Sequence, residues 1–154
     1  MSKTSERGFT LLEMVCVLAL TAMIAAVLLP FVPRQTSRSR LQAYALQVAT
    51  LLKADRNAAI RRGTDIATLV DARGRVIRSG ATADMVSIPD EVEFKALLPR
   101  TCGRHQALST ISFFASGMSC GGAIALSRAD AGYEVRVNWL TGRIEIASHN
   151  PTIN

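Results

Sequence analysis

An apolar run from Phe9 to Pro33, interrupted by one acidic residue at Glu13, constrains this chain more than any other stretch of its sequence. A helix over residues 9–29 is long enough, at about 1.5 Å per residue, to cross ~30 Å of hydrocarbon. A secretory signal peptide has an apolar core of only ~7–15 residues, about half of this run. Ala19-Leu20-Thr21-Ala22 is also a weak match to its small-x-small cleavage site. A carboxylate at the bilayer centre costs about 2.5–3.5 kcal/mol on insertion scales, so Glu13 needs a cationic partner.

The junction Arg7-Gly8-Phe9-Thr10-Leu11-Leu12-Glu13 resembles the leader junction of type IV pilins and type II secretion pseudopilins. A short basic leader, a glycine, a phenylalanine and a glutamate stand at that family's spacing. The resemblance implies that a membrane peptidase cuts between Gly8 and Phe9 and that Phe9 is then N-methylated. It also implies that Glu13 pairs with the terminal amine of a neighbouring subunit during assembly. Residues 1–8 are then a prepilin leader and residues 9–33 a transmembrane helix. Cys16 lacks the small residues that precede a lipidated cysteine and reads as an apolar side chain.

Charge is unevenly spread. Lys3 and Arg7 balance Glu6 and Glu13 in residues 1–30, and residues 63–154 hold nine basic and nine acidic side chains. Residues 31–62 carry seven basic residues against Asp55 alone, so the net charge of +6 lies just beyond the apolar run. Such a segment suits anionic headgroups of the inner membrane or a solvated helix face. Counting Arg34, Arg38 and Arg40 against Lys3 and Arg7 favours a cytoplasmic C-terminal side. The pilin-like junction implies the opposite, a cytoplasmic N-terminus and a periplasmic head, because its processing enzymes work at the cytoplasmic face.

Pro30 and Pro33 predict a bend or an unwound stretch. Beyond them Leu41, Tyr44, Ala45, Val48, Leu51, Leu52 and Ala59 form a helical stripe, with Lys53, Arg56 and Arg61 off it toward solvent or lipid. Gly63 is the expected stop, which makes 34–62 the amphipathic half of a stalk helix. The rest, 63–154, reads as a β-rich head. Strands are expected over Ile66–Val70, Arg75–Arg78, around Val92, Phe94 and Ala96, from Ile111, and over Ala123–Ser127. The alternation of Tyr133, Val135, Val137 and Trp139 predicts one buried face, and Thr141-Gly142 a turn into Arg143–Ile146. Ser79–Asp84 reads as a loop and Ser148 onward as a frayed tail.

The pattern Phe113-Phe114-x-x-Gly117-x-x-x-Gly121-Gly122, followed by Tyr133-x-Val135-x-Val137-x-Trp139-Leu140-Thr141-Gly142-Arg143, resembles the head of the pseudopilin H family, which includes FimT-type minor pilins. Ala115-Ser116-Gly117 stands where a Pro-Asp-Gly turn is common. The implied fold is α+β and pilin-like, a long N-terminal helix packed on an antiparallel sheet. The implied function is that of a minor pseudopilin of the periplasmic pseudopilus that drives export of folded proteins across the outer membrane. Its implied partners are other pseudopilins through the N-terminal helix, the prepilin peptidase and methylase, membrane lipid and the secretion assembly platform. The alternatives are a FimT-like pilus subunit acting in pilus assembly or DNA uptake, and a monomeric membrane-anchored binding module. The neutral head and the cation-free tail Ser148–Asn154 argue against DNA as a partner.

No nucleophile–base–acid set stands out, so an enzyme is not expected, nor is a cofactor. In an oxidising compartment Cys102 and Cys120 read first as a disulfide. Free thiols remain an alternative, as does a metal site using the C-x-x-H spacing of Cys102 and His105, although structural zinc wants four ligands. Asp90, Glu91 and Glu93 form an acidic cluster that reads as solvated. The glycines of 116–122 lack a phosphate-loop ending and serve turns.

Overall fold

The structure is a computed structural model that describes residues 10–28, 38–103, 105–129 and 131–149. The chain divides into two units, Met1–Gln35 and Thr36–Asn154.

The first unit contains helix α1, Leu11–Leu28. Its sequence is apolar on every side apart from Glu13 and Thr21, and its side chains from Leu11 to Ala26 lie open, with Leu11 83% and Met23 71% exposed. Among the described residues no helix is long and apolar enough to cross a membrane. At about 1.5 Å per residue α1 spans ~27 Å, slightly less than ~30 Å of hydrocarbon. The span expected over 9–33 runs past α1 into Phe9 and residues 29–33, which lie outside the described residues. The bend expected at Pro30 and Pro33 lies there too.

The second unit begins with α2, Arg38–Arg62. Its stripe is buried as expected at Leu41, Ala45, Val48, Leu51, Leu52 and Ala59. Gly63, at φ +62°, ends the helix, and Thr64 N donates to Ala59 O at 3.3 Å. A left-handed glycine followed by that six-residue bond is a Schellman stop, which satisfies one of the carbonyls left over at the helix end.

Ten strands follow. They are β1 (Ile66–Asp71), β2 (Val76–Arg78), β3 (Met85–Ser87), β4 (Glu93–Leu97), β5 (Thr101–Cys102), β6 (His105–Gln106), β7 (Thr110–Phe113), β8 (Gly122–Arg128), β9 (Ala131–Val137) and β10 (Ile144–His149). They form two antiparallel four-stranded sheets, ordered β3-β2-β1-β7 and β10-β9-β8-β4, and a β5-β6 ribbon. Helix α2 packs on both sheets. Leu41, Val48 and Leu52 of the helix meet Val70, Ile77, Ile111 and Phe113 from one sheet and Ile124, Leu126 and Val135 from the other in one core.

Several sequence expectations need correction. The antiparallel head is as expected, but its strands divide, among the described residues, into two four-stranded sheets. Arg56 does not point away: its Nε donates to Gly117 O and its Nη2 to Thr141 O, each at 3.0 Å. Trp139 breaks the expected alternation, because β9 ends at Val137 and the indole stands in the following turn, 63% exposed. Ser148 and His149 belong to β10, held in register against Tyr133 and Gly132, so pairing extends into the expected tail. The short strands β3, β5 and β6 carry too few residues for a period to show.

The β9–β10 turn requires its glycine. Asn138 Oδ1 accepts from Leu140 N and Thr141 N, both at 3.0 Å, and Gly142 follows at φ +63°. A Cβ on Gly142 would lie 2.0 Å from Gly117 O and 2.8 Å from Arg56 Nε. Gly142→Ala is expected to destabilise the head by about 2 kcal/mol or more, through left-handed strain plus a backbone collision. A drop in the chemical-denaturation midpoint measures this.

Candidate functional site

Gly8 and Phe9 lie outside the described residues, so the candidate site is visible from Thr10 onward. Thr10 sits at the N-cap of α1: its hydroxyl accepts from Glu13 N at 3.3 Å, and its carbonyl accepts from Glu13 N at 3.0 Å and Met14 N at 3.3 Å. Thr-x-x-Glu is the capping-box spacing, and an acidic side chain in the first turn is favoured by the helix dipole. Local structure therefore holds Glu13 at the open N-terminal end of a rod that is apolar on every other face. A helix that is apolar all round is, as a rule, one that is covered rather than left in water.

In the head, the structure joins Cys102 to Cys120, with Cα atoms 5.6 Å apart and a sequence separation of 18. The bond ties the β5–β6 ribbon to the segment entering β8, and closing a loop of this length contributes about 3 kcal/mol in the chain-entropy account. With both sulfurs in the bond, neither is a thiolate ligand, and the C-x-x-H reading loses its first member. Among the described residues no three His, Cys, Asp or Glu side chains gather as metal ligands.

The acidic cluster is engaged in ion pairs: Asp90 with Arg75 at 3.4 Å, Glu91 with Arg128 at 3.3 Å, and Glu93 with Lys95 at 2.7 Å. Hydrogen bonds from Lys95 and then Ser127 hold the Glu93 carboxyl below the usual carboxylate range. Arg75, at φ 55°, is held in that conformation by its own side chain, which donates to Ile88 O at 3.1 Å, Pro89 O at 2.6 Å and Val92 O.

One residue that organises the head escaped sequence reasoning. Asp55, fully buried on α2, accepts from Thr68 Oγ1 at 2.5 Å, Ser79 Oγ, Gly80 N at 3.0 Å and Ala81 N at 3.3 Å. Helix, β1 and the 79–82 loop thus converge on one carboxylate. A signal was present: Asp55 falls in step with Val48, Leu52 and Ala59, on the buried stripe.

An apolar rod with a capped glutamate and a helix-backed head of two antiparallel sheets define a pilin-like subunit. Residues 3–29 match the prokaryotic N-terminal methylation motif. The fold is similar to the minor pseudopilin EpsH from the type 2 secretion system of Vibrio cholerae, with a TM-score of 0.55 at 11% identity over 70% of this chain and 95% of that one. It is equally similar to the type IV minor pilin FimU of Pseudomonas aeruginosa, with a TM-score of 0.56 at 17% identity over 76% and 96%. Fold alone does not separate secretion from pilus subunits, but sequence does. The chain is 32% identical over 140 residues to type II secretion system protein H of Xanthomonas campestris pv. campestris, covering 90% of this chain and 81% of that one. The chain belongs to the type II secretion system protein H family of minor pseudopilins.

Proposed function

We propose that the chain is a structural subunit, not an enzyme, of a periplasmic pseudopilus anchored at the inner membrane, whose movement exports folded proteins across the outer membrane. The carrying observation is an exposed apolar helix with one carboxylate in its first turn, which is complete only in the company of lipid and like helices. On this reading a peptidase removes residues 1–8, Phe9 becomes the methylated terminus, and Glu13 neutralises the Phe9 amine of an adjoining subunit. The pair is valuable because it leaves neither charge alone in an apolar setting. The N-terminus faces the cytoplasm, the head lies in the periplasm, and the secretion assembly platform adds the subunit to the filament.

The pilus and DNA-uptake reading has the FimU-like fold in its favour. Phosphate recognition, however, draws on an excess of cations, and the head, residues 63–154, is neutral, with nine basic and nine acidic side chains. Five cations of the head, Arg75, Lys95, Arg128, Arg136 and Arg143, each stand within 4 Å of a carboxylate. The secretion reading is tested at the processing step. Gly8→Val is expected to leave an unshifted precursor on a gel and to abolish secretion of the exported protein. Normal processing and normal secretion in that variant would overturn the reading.

A further inference from the structure

Three segments meet around Arg56: α2, the loop 114–121 and the β9–β10 turn. Its bonds to Gly117 O and Thr141 O pin both loops to the helix. The same three segments also leave Trp139, Leu140, Ile60 and Met118 exposed. At Arg56 lies a cleft of about 380 Å³ lined by Lys53, Arg56, Asn57, Gly142, Arg143 and Ile144. Positive charge dominates this cleft. Arg56 donates to neutral carbonyls, and Lys53 enters no ion pair among the described residues. Arg143 meets one carboxylate, Glu145, at 3.1 Å, and both of those side chains are exposed.

We propose that this surface docks an acidic, apolar-centred face of a different pilin-type subunit, with a carboxylate entering the cleft and Trp139 and Leu140 seated against apolar side chains. The proposal rests on the assembly reading above and names the chemistry of one neighbour within it. Tryptophan, arginine and methionine are enriched where binding energy concentrates, and an exposed cluster joining all three to a concave recess has that composition. The occupant is not a second copy of this chain. A twofold contact centred on this cleft would bring together the Lys53, Arg56 and Arg143 of both copies, and facing like charges are costly. A flat headgroup layer is a poor fit as well, because the three cations line a cleft rather than a protruding face.

Photo-crosslinking in cells that make the complete secretion system tests this, with a benzophenone amino acid placed at Leu140 and, separately, at Leu18 on α1. The Leu140 probe is expected to capture one other pilin-type subunit at a peptide containing Asp or Glu. The adduct should fall at least about tenfold in the K53E/R143E variant, as for charge pairs at interfaces, with the Leu18 adducts retained. Lys53 and Arg143 are suitable because both are exposed; Arg56 is spared because it holds two loops. Adducts at Leu140 to lipid or to a second copy, no adduct, or an adduct indifferent to charge reversal would overturn the docking site while Leu18 still reports assembly. Loss of pilin-type adducts at Leu18 in the unaltered background would overturn the assembly reading beneath it.

Discussion

Asp55→Ala is expected to destabilise the head by about 3–4 kcal/mol, a loss on the scale of emptying a large core position. The carboxylate is fully buried and accepts from two hydroxyls and two backbone amides. Alanine leaves these donors without their acceptor, and each stranded buried group costs about 1–3 kcal/mol. The hydroxyls of Thr68 and Ser79 can turn toward other acceptors, so the total falls short of four full penalties. Asp55→Asn keeps one acceptor oxygen but presents an NH2 group to donors, and is expected to cost about half as much. Chemical denaturation followed by circular dichroism measures both. A loss under about 0.5 kcal/mol for the alanine variant would show that the carboxylate is not what joins α2 to β1 and the 79–82 loop.

The largest functional effect is expected from Glu13→Ala. Removing the carboxylate leaves the local cap at Thr10 largely intact, because the three hydrogen bonds there come from the backbone N–H groups of Glu13 and Met14. The variant should therefore be processed and inserted normally. On the proposed assembly reading, what it loses is the partner for a neighbour's terminal amine in an apolar setting. Breaking a desolvated pair from one side costs about 3–5 kcal/mol, a hundredfold or more in association. Secretion should collapse while the amount of processed protein in the membrane stays level. Glu13→Gln, which keeps shape and removes charge, should fail equally. Full secretion by either variant would contradict the role given to Glu13.

The sequence was readable where one residue type has one physical use. The apolar run with its single carboxylate, the α2 stripe and the stop at Gly63 all express simple periodicities or a conformation that glycine alone adopts easily. The alternation Tyr133, Val135, Val137 gave β9, and it misled at Trp139 because period alone does not show where a strand yields to a turn. Asp55 was passed over and Arg56 placed wrongly for a related reason. A charged residue on a helix reads as solvated until the loops that donate to it or accept from it are in place, and those loops come from residues 68–81 and 117–141. The division into two sheets was hidden likewise, since strands of two or three residues have no period and their order depends on pairings far apart in sequence.

Intact mass measurement of the native membrane-bound protein, with fragmentation of its N-terminal peptide, tests the central claim most directly. The account predicts a chain that begins at Phe9 and carries one extra methyl group, 14 mass units, on its terminal amine. A chain that retains residues 1–8, or one cut at any other bond, would contradict it.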